Sequence, residues 1–435
     1  MKNILKALSA VALTSTVAFA GEAAKDVKDL KKVIEDHGIY VETDQKGIKL
    51  SGYVDTSWTY QFANGKNSRE NGAASTENRL RQFDVDHNDF NINAVKLTLE
   101  KELPDENKLA AGFRVDLMFG EDAKILAVSD PGLAPIYRDE GGRDNILGDS
   151  IYLEQAYVQF RVPVGNGLDF KFGKFVTLLG YEVIESPANL NFSRGLLFTN
   201  AIPLTHTGVL ASYKFNDTVD AQFGVVNGWN NSDSHADSFA PAITGRLNIT
   251  APGGNANIAQ SFIYAVDGAP QAYDQALGIL LEQNEPTFVY DIWGNWAPKF
   301  ANDKLLLGFN LVYGRGDHAL IDPVAIFGVA RREEWYGAAL YAKYQFTKVF
   351  SLAGRLEWLH SDNSYKIVTQ GPIETSSDIY SATITAGFDI WENLLTRLEY
   401  RADFGPHDIL DASGGSNDGN LGVQHQVAVN FVYSF

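Results

Sequence analysis

The chain has 435 residues, of which 45% are apolar and 12% aromatic, and it contains no cysteine, which excludes disulfide frameworks, thiolate metal sites and cysteine nucleophiles. Thirty-six Lys and Arg stand against 54 Asp and Glu, and the net charge of −18 argues against nucleic acid as a partner. Beyond the extreme N-terminus no stretch approaches the ~18 consecutive apolar residues that a membrane helix needs.

Lys2 and Lys6 precede an apolar run that ends Val17-Ala18-Phe19-Ala20 before Gly21. A basic start, a short apolar run and a small-x-small ending predict an export signal over 1–20, cleaved after Ala20. Residues 21–46 read as a periplasmic leader. Within it Val27, Leu30 and Ile34 recur at helical spacing over 23–37, with Lys25, Lys28, Lys31 and Lys32 around the rest of the surface. Such a helix suits either a polar leader or a periplasmic plug or oligomerisation helix.

From Ile48 onward the period is two. Ile48, Leu50, Gly52, Val54, Thr56, Trp58, Tyr60 and Phe62 alternate with mostly polar residues, the mark of a strand with one apolar face. Sixteen such segments follow one another: 48–62, 89–101, 109–119, 151–162, 168–178, 207–215, 219–227 and 242–249, then 257–266, 286–296, 304–313, 335–346, 350–359, 379–390, 394–404 and 424–435. The connections alternate between short and long. Tight turns near 102–108, 163–167, 216–218, 250–256, 297–303, 347–349 and 391–393 carry turn-forming residues. Long loops fill 63–88, 120–150, 179–206, 228–241, 267–285, 314–334, 360–378 and 405–423. A soluble sandwich has no reason for this rhythm. An all-β transmembrane antiparallel barrel does, with short turns in the periplasm, long loops outside and an even strand number. The expected barrel occupies 47–435.

Aromatic residues fall near the ends of the outward faces. Phe119, Trp229, Tyr313, Trp358, Tyr380 and Phe404 are expected at the outer rim, and Phe215, Phe346, Phe388 and Tyr433 at the inner one. The last segment alternates Val427, Val429, Phe431, Tyr433 and Phe435, ending on the carboxylate. This resembles the signal that the outer-membrane assembly machinery reads on its barrel clients, so Tyr433 and Phe435 are the expected assembly signal.

The inward face of a wide barrel lines water and should be polar. It is expected to carry Lys96, Arg114, Arg161, Lys171, Arg246, Lys343, Arg355, Arg397 and Arg401. Interleaved with these are Asp55, Glu100, Asp116, Asp169, Asp220, Asp291, Glu357, Glu399 and Asp403. Nine of each sign make a mixed wall. The alternation breaks near Ala94-Val95 and near Gly173-Lys174, and a β-bulge at each would restore it and turn Lys174 inward.

The runs Gly52-Tyr53-Val54-Asp55-Thr56-Ser57, Gly112-Phe113-Arg114-Val115-Asp116 and Gln155-Ala156-Tyr157-Val158, with the stretch from Gly173 to Tyr213, resemble the OmpL-like family of β-barrel porins. The likeness is densest over 48–230. Gly173-Lys174-Phe175 with Leu179-Gly180-Tyr181-Glu182 is more distantly similar to phosphate-selective porins. The resemblance implies a diffusion channel for small hydrophilic solutes or ions in the outer membrane of a Gram-negative bacterium. It also implies assembly as a homotrimer, with the third long loop folded into the pore. Loop 179–206 is apolar for an exposed segment, as Leu196, Leu197, Phe198, Ile202 and Leu204 attest, which fits that placement. It holds Arg194 against Glu182 and Glu185, which departs from the ladder of bases that phosphate selection wants. The expected constriction sets Glu182 and Glu185 across a gap from Lys96 and Arg114, with Asp116 beside them. The alternative is that both acids pair with Arg194 and pin the loop. Asp55, Arg246, Arg355, Glu357, Arg397 and Glu399 complete the expected lumen wall.

Other classes leave weaker traces. A barrel hydrolase would need His87 beside Asp86, or His425, as its base, and no third group is placed with either. Asp84, Asp86, Asn88 and Asp89 are rich in oxygen but lack calcium-loop spacing. An adhesin or structural barrel with partner-binding loops is the remaining alternative. Neither a cofactor nor a resident metal is expected, and the loops 120–149 and 267–286 should make the outer mouth acidic.

Overall fold

The computed structural model describes residues 47–62, 81, 83–84, 88–130, 151–232, 241–266, 272–274, 279–281, 286–320, 329–362, 377–406 and 421–435. The expected signal peptide, the leader with its helix, Asp86 and His87 lie outside the described residues. The first barrel strands are β1 (Lys49–Phe62), β2 (Asp89–Lys101), β3 (Ala110–Phe119), β4 (Ile151–Val162) and β5 (Leu168–Val176). After the third long loop come β6 (Thr205–Lys214), β7 (Val219–Val226), β8 (Ala242–Thr250) and β9 (Ala256–Ala265). A small hairpin of β10 (Ala272–Asp274) and β11 (Ile279–Leu281) sits in the next long loop. The wall continues with β12 (Thr287–Trp296), β13 (Leu305–Leu320), β14 (Val329–Gln345) and β15 (Phe350–Ser361). It ends with β16 (Ser377–Trp391), β17 (Leu394–Pro406) and β18 (Leu421–Ser434).

All strands but β10 and β11 join in one closed antiparallel barrel of sixteen strands. β18 pairs with β1 from Ser434 opposite Tyr53 to His425 opposite Phe62. Gly52 and Phe435 exchange two backbone hydrogen bonds of 3.0 Å and finish the seam. Closure leaves no unpaired edge, which backbone in hydrocarbon could not tolerate.

The outward face is a belt of exposed apolar side chains, including Val54, Ile92, Val158, Phe172, Phe223, Leu247, Leu311, Leu340, Leu356, Ile384 and Leu398. So large an apolar surface fits lipid and not water. Tyr213, Phe215, Phe346, Phe350 and Phe388 form ring contacts at the turn end, and Tyr336, Trp358 and His360 at the loop end. Trp229 departs from the expected rim. It is buried inside, 6.4 Å edge-on from Trp335, because the loop that carries it turns into the barrel.

Three irregularities set which side chains reach the lumen. On β2 the register slips so that Asp55 opposes Ala94 and Thr56 opposes Ile92, leaving Asn93 extra. The outward phase thereby moves from Phe90 and Ile92 to Val95, Leu97 and Leu99, the expected bulge. On β5 the expected bulge is replaced by a glycine: Gly173 adopts φ +132° while β5 keeps register with both neighbours. A Cβ there would lie 2.2 Å from the Ala156 carbonyl oxygen, so the position admits only glycine. Lys174 is nonetheless buried, where it bonds Asp130 and the Tyr152 hydroxyl. A third slip, on β4, leaves Glu154 extra and buries both Glu154 and Gln155.

Loop 314–334 was expected to lack strand, yet β13 and β14 run through most of it, paired out to Leu320 and Val329. Above the lipid a strand has no need of an apolar face, so its period-two signal vanishes while its hydrogen bonding continues.

Candidate functional site

The third long loop, between β5 and β6, lies inside the barrel. Its apolar residues explain why. Leu179, Ile184, Phe192, Leu196, Leu197, Phe198 and Ile202 are all buried, in a segment that holds only a 3-10 turn (Ser186–Ala188) and one short helix. Burying a Leu or Phe side chain is worth ~1.5–3 kcal/mol each, which an excursion into water would forfeit.

Polar groups then tie the loop to successive strands. Ser261 on β9 donates to the Leu178 carbonyl at 2.9 Å, and Asp291 on β12 accepts from Gly180 N at 2.9 Å. Asn310 on β13 accepts from Tyr181 N, while the Tyr181 ring stacks on Tyr341 of β14 at 4.3 Å. Trp335, also on β14, donates its indole N–H to the Ala201 carbonyl at 3.0 Å. On β16, Thr385 accepts from Asn191 at 2.7 Å. On β17, Glu399 accepts from Phe192 N and Ser193 N, and Arg397 donates to Ser186 and Asn191 carbonyls.

The charges of the loop meet partners directly. Glu182 pairs with Arg355 of β15 at 2.6 Å and accepts from Gly195 N at 2.6 Å. Arg355 also pairs with Glu357 at 2.9 Å. Glu185 pairs with Lys96 of β2 at 2.6 Å, and the same ammonium reaches Glu154 at 2.9 Å and Asp116 at 3.1 Å. Arg194 pairs at 2.7 Å with Asp122 of α1 (Glu121–Ser129), a helix from the preceding long loop. Burial pushes the Glu182 carboxyl up, with Arg355 only partly countering it. For Glu185 burial acts the same way, but Lys96 outweighs it and holds the carboxyl below its usual range. Burial pushes Asp122 up to about 7 against the pull of Arg194.

Two expectations change. The acids and bases of the loop and wall touch rather than face each other across a gap, and neither glutamate pairs with Arg194. Arg114 stays with Asp116 and Glu100, both at 2.9 Å, and does not hold the loop. Asp55 sits at the seam, accepting from Asn93 and Asn430 at 2.7 and 2.5 Å. Asp122 and Glu154 were missed. The second had a signal: the outward apolar residues shift from Ile151 and Leu153 to Ala156, Val158 and Phe160. Asp122, on a helix in a long loop, had none.

The remaining candidates do not converge. His425 is hydrogen-bonded to Tyr400 at 2.7 Å at an exposed position. Asp84 is buried with Arg81, whereas Asp89 is exposed and caps its own next residue, so the described members of that oxygen-rich cluster do not share a site. Tyr433 and Phe435 are half-exposed on the outward face beside the seam.

The family model described as "Putative beta-barrel porin-2, OmpL-like" matches residues 47–435, the whole barrel. The chain belongs to this family. It is thus a bacterial outer-membrane β-barrel porin, and both family and fold point to a channel rather than an enzyme. No curated protein matches it. Among solved structures it is similar to the outer-membrane channel DcaP of Acinetobacter baumannii, with 13% identity over 91% of this chain and 100% of that one, TM-score 0.55. The anion-selective porin of Comamonas acidovorans shares 13% identity over 89% of this chain and 99% of that one, TM-score 0.54. The trimer form of OmpT from Vibrio cholerae shares 10% over 89% and 99%, TM-score 0.51. At such identities these likenesses speak for the fold alone.

Proposed function

We propose that this OmpL-like porin is a passive diffusion channel for small hydrophilic solutes, narrowed by its third long loop through Glu182, Glu185 and Arg194. The observation that carries the reading is the chain of contacts from Leu178 to Ala201, which ties the loop to the wall from β9 round to β17 and to β2. A loop held at so many points stays at a set depth and leaves a bore of set size. The tight ion pairs of the loop act as its fastenings, and Lys96, Arg114 and Asp116 form the wall beside it. In this reading the chain is exported by its N-terminal signal and handed to the barrel assembly machinery through Tyr433 and Phe435. It associates as a homotrimer, as OmpT of Vibrio cholerae does in its trimer form.

Planar-bilayer recording of the purified protein is the test. Steady open channels that reject larger neutral sugars are expected. A folded, heat-modifiable barrel that never conducts would overturn the reading in favour of a structural or adhesive barrel.

A further inference from the structure

Along β17 the inward side chains Arg397, Glu399, Arg401 and Asp403 follow one another from the turn end to the loop end. The first three serve the third loop. Arg397 and Glu399 hold its backbone between Ser186 and Ser193, and Arg401 donates to the Arg194 carbonyl at 2.6 Å. Asp403, the step nearest the outside, takes a different partner. Arg81, from the end of the first long loop, donates to its carboxylate through Nη2 at 2.7 Å and through Nε at 3.1 Å. Successive inward residues stand ~7 Å apart along a strand, so Arg81 meets the wall one level further out than the third loop.

The side chain of Arg81 is fully buried there. Its Nη1 also donates to Gln426 Oε1 of β18 at 2.8 Å and pairs with Asp84. Gln426 in turn donates to the same Asp84 oxygen at 3.1 Å. Arg81, Asp84, Gln426 and Asp403 thus form one network between the end of the first loop and strands β17 and β18. Phe83, only 4% exposed, turns instead to the third loop. The Arg194 guanidinium stands 4.6 Å from its ring centre, and the Phe198 ring lies 5.8 Å away. Arg81 therefore fastens this short stretch to the wall, and Phe83 seats it on the third loop.

We infer that Arg81, Phe83 and Asp84 form a second constriction level of the channel, one step outside the third loop, with the Arg81–Asp403 pair as its fastening. The level sorts solutes by size and not by charge. Two bases, Arg81 and Arg401, stand against two acids, Asp84 and Asp403, and each base contacts Asp403, at 2.7 and 2.8 Å. Balanced charges bound to one another offer a passing ion little net field, whereas the Phe83 ring takes up room inside the barrel. Removing one partner of a buried pair leaves the other uncompensated. Loss of Arg81 leaves Asp84 buried without this cation, so the stretch is expected to lift off the third loop.

The inference rests on the channel reading and deepens it. The chain has no cysteine, so Phe198→Cys places a single thiol beneath Phe83. Its cover is measured as the rate of labelling by a bulky, membrane-impermeant maleimide added to intact cells. Labelling should be slow while Arg81 is in place. Adding Arg81→Met should speed it on the order of tenfold or more, because the open population grows once the buried pair is lost. Arg81→Lys keeps the charge and should recover most of the slow labelling. In planar bilayers Arg81→Met and Phe83→Ala should each admit neutral sugars larger than the unaltered protein passes. Phe83→Ala moves no charge and should leave the cation-to-anion permeability ratio unchanged. Folding is read from the heat-shifted gel band, and if Arg81→Met does not fold, Phe83→Ala decides. Folded variants with unchanged labelling and an unchanged sugar limit would overturn the second level while leaving the channel reading intact. An unaltered protein that folds but does not conduct would overturn the channel reading itself.

Discussion

Replacing Lys96 with Met tests whether ion pairing fastens the third loop to the wall. The Lys96 ammonium lies within 3.1 Å of Asp116, Glu154 and Glu185, and oxygens of the three carboxylates lie within 4.8 Å of one another. Without the lysine, two charged carboxylates at 4.8 Å repel by ~3.5 kcal/mol, taking 332/(20 × 4.8) at an effective dielectric constant of about 20. Three such pairs cannot all persist, so the site relaxes by binding protons or by letting the loop move. Breaking a buried pair by removing one partner costs ~3–5 kcal/mol, and that loss is expected at pH 8. At about pH 5.5 protonation of Glu185, the loop carboxyl that Lys96 holds below its usual range, should restore part of it. The assay is urea unfolding followed by the folded-band mobility at both pH values. Adding Glu154→Gln to Lys96→Met removes one of the three acids and should recover stability at pH 8. Equal losses at the two pH values, or a double variant no better than the single one, would refute the account.

Asp122→Asn addresses pH directly. Burial pushes Asp122 up to about 7 in the folded protein, whereas an unfolded carboxyl titrates near ~3.9, so its contribution is fully present below that range and fades as pH rises through about 7. The variant should flatten this part of the stability curve, and an unchanged slope between about pH 4 and 7 would count against the assignment. In Gly195→Ala the new Cβ would lie 2.2 Å from Glu357 Oε1, and displacing that carboxylate should cost about 1–3 kcal/mol and loosen the loop, read as larger single-channel conductance. Arg355→Met leaves Glu182 and Glu357 without their shared cation and should also raise conductance, with a greater loss of folded band at pH 8 than at pH 5. Deleting Phe435 removes two seam bonds to Gly52, so slower appearance of the folded band in detergent refolding is expected.

Much of this protein could be read from its residues because lipid imposes a simple rule. Every second side chain of a spanning strand must be apolar, so Val95, Leu97 and Leu99 on one face announce Lys96, Thr98 and Glu100 on the other. The sixteen strands, their order, the inward charges and the bulge on β2 follow from that alternation together with the rhythm of short and long connections. The apolar third loop inside the barrel follows from the same economy of apolar surface. Where the alternation lapses, so does the legibility: β13 and β14 stay paired out to Leu320 and Val329, and residues 314 to 334 read as loop although most are strand.

The partners of the charges were another matter. Composition showed a mixed wall and a loop with two acids and one base. Only the closed barrel brought Glu182 to Arg355, 173 residues away, and Glu185 to Lys96, 89 residues away. Arg194 went to Asp122 because a helix from a different loop turned inward beside it. Pairing across a lumen depends on where a loop descends and which strands it passes, and the alternation along one strand carries no information about that. The same holds for Arg246, whose residue type and inward phase were legible, while the absence of a hydrogen-bond partner for its Nε and Nη2 among the described residues emerged only from the folded barrel.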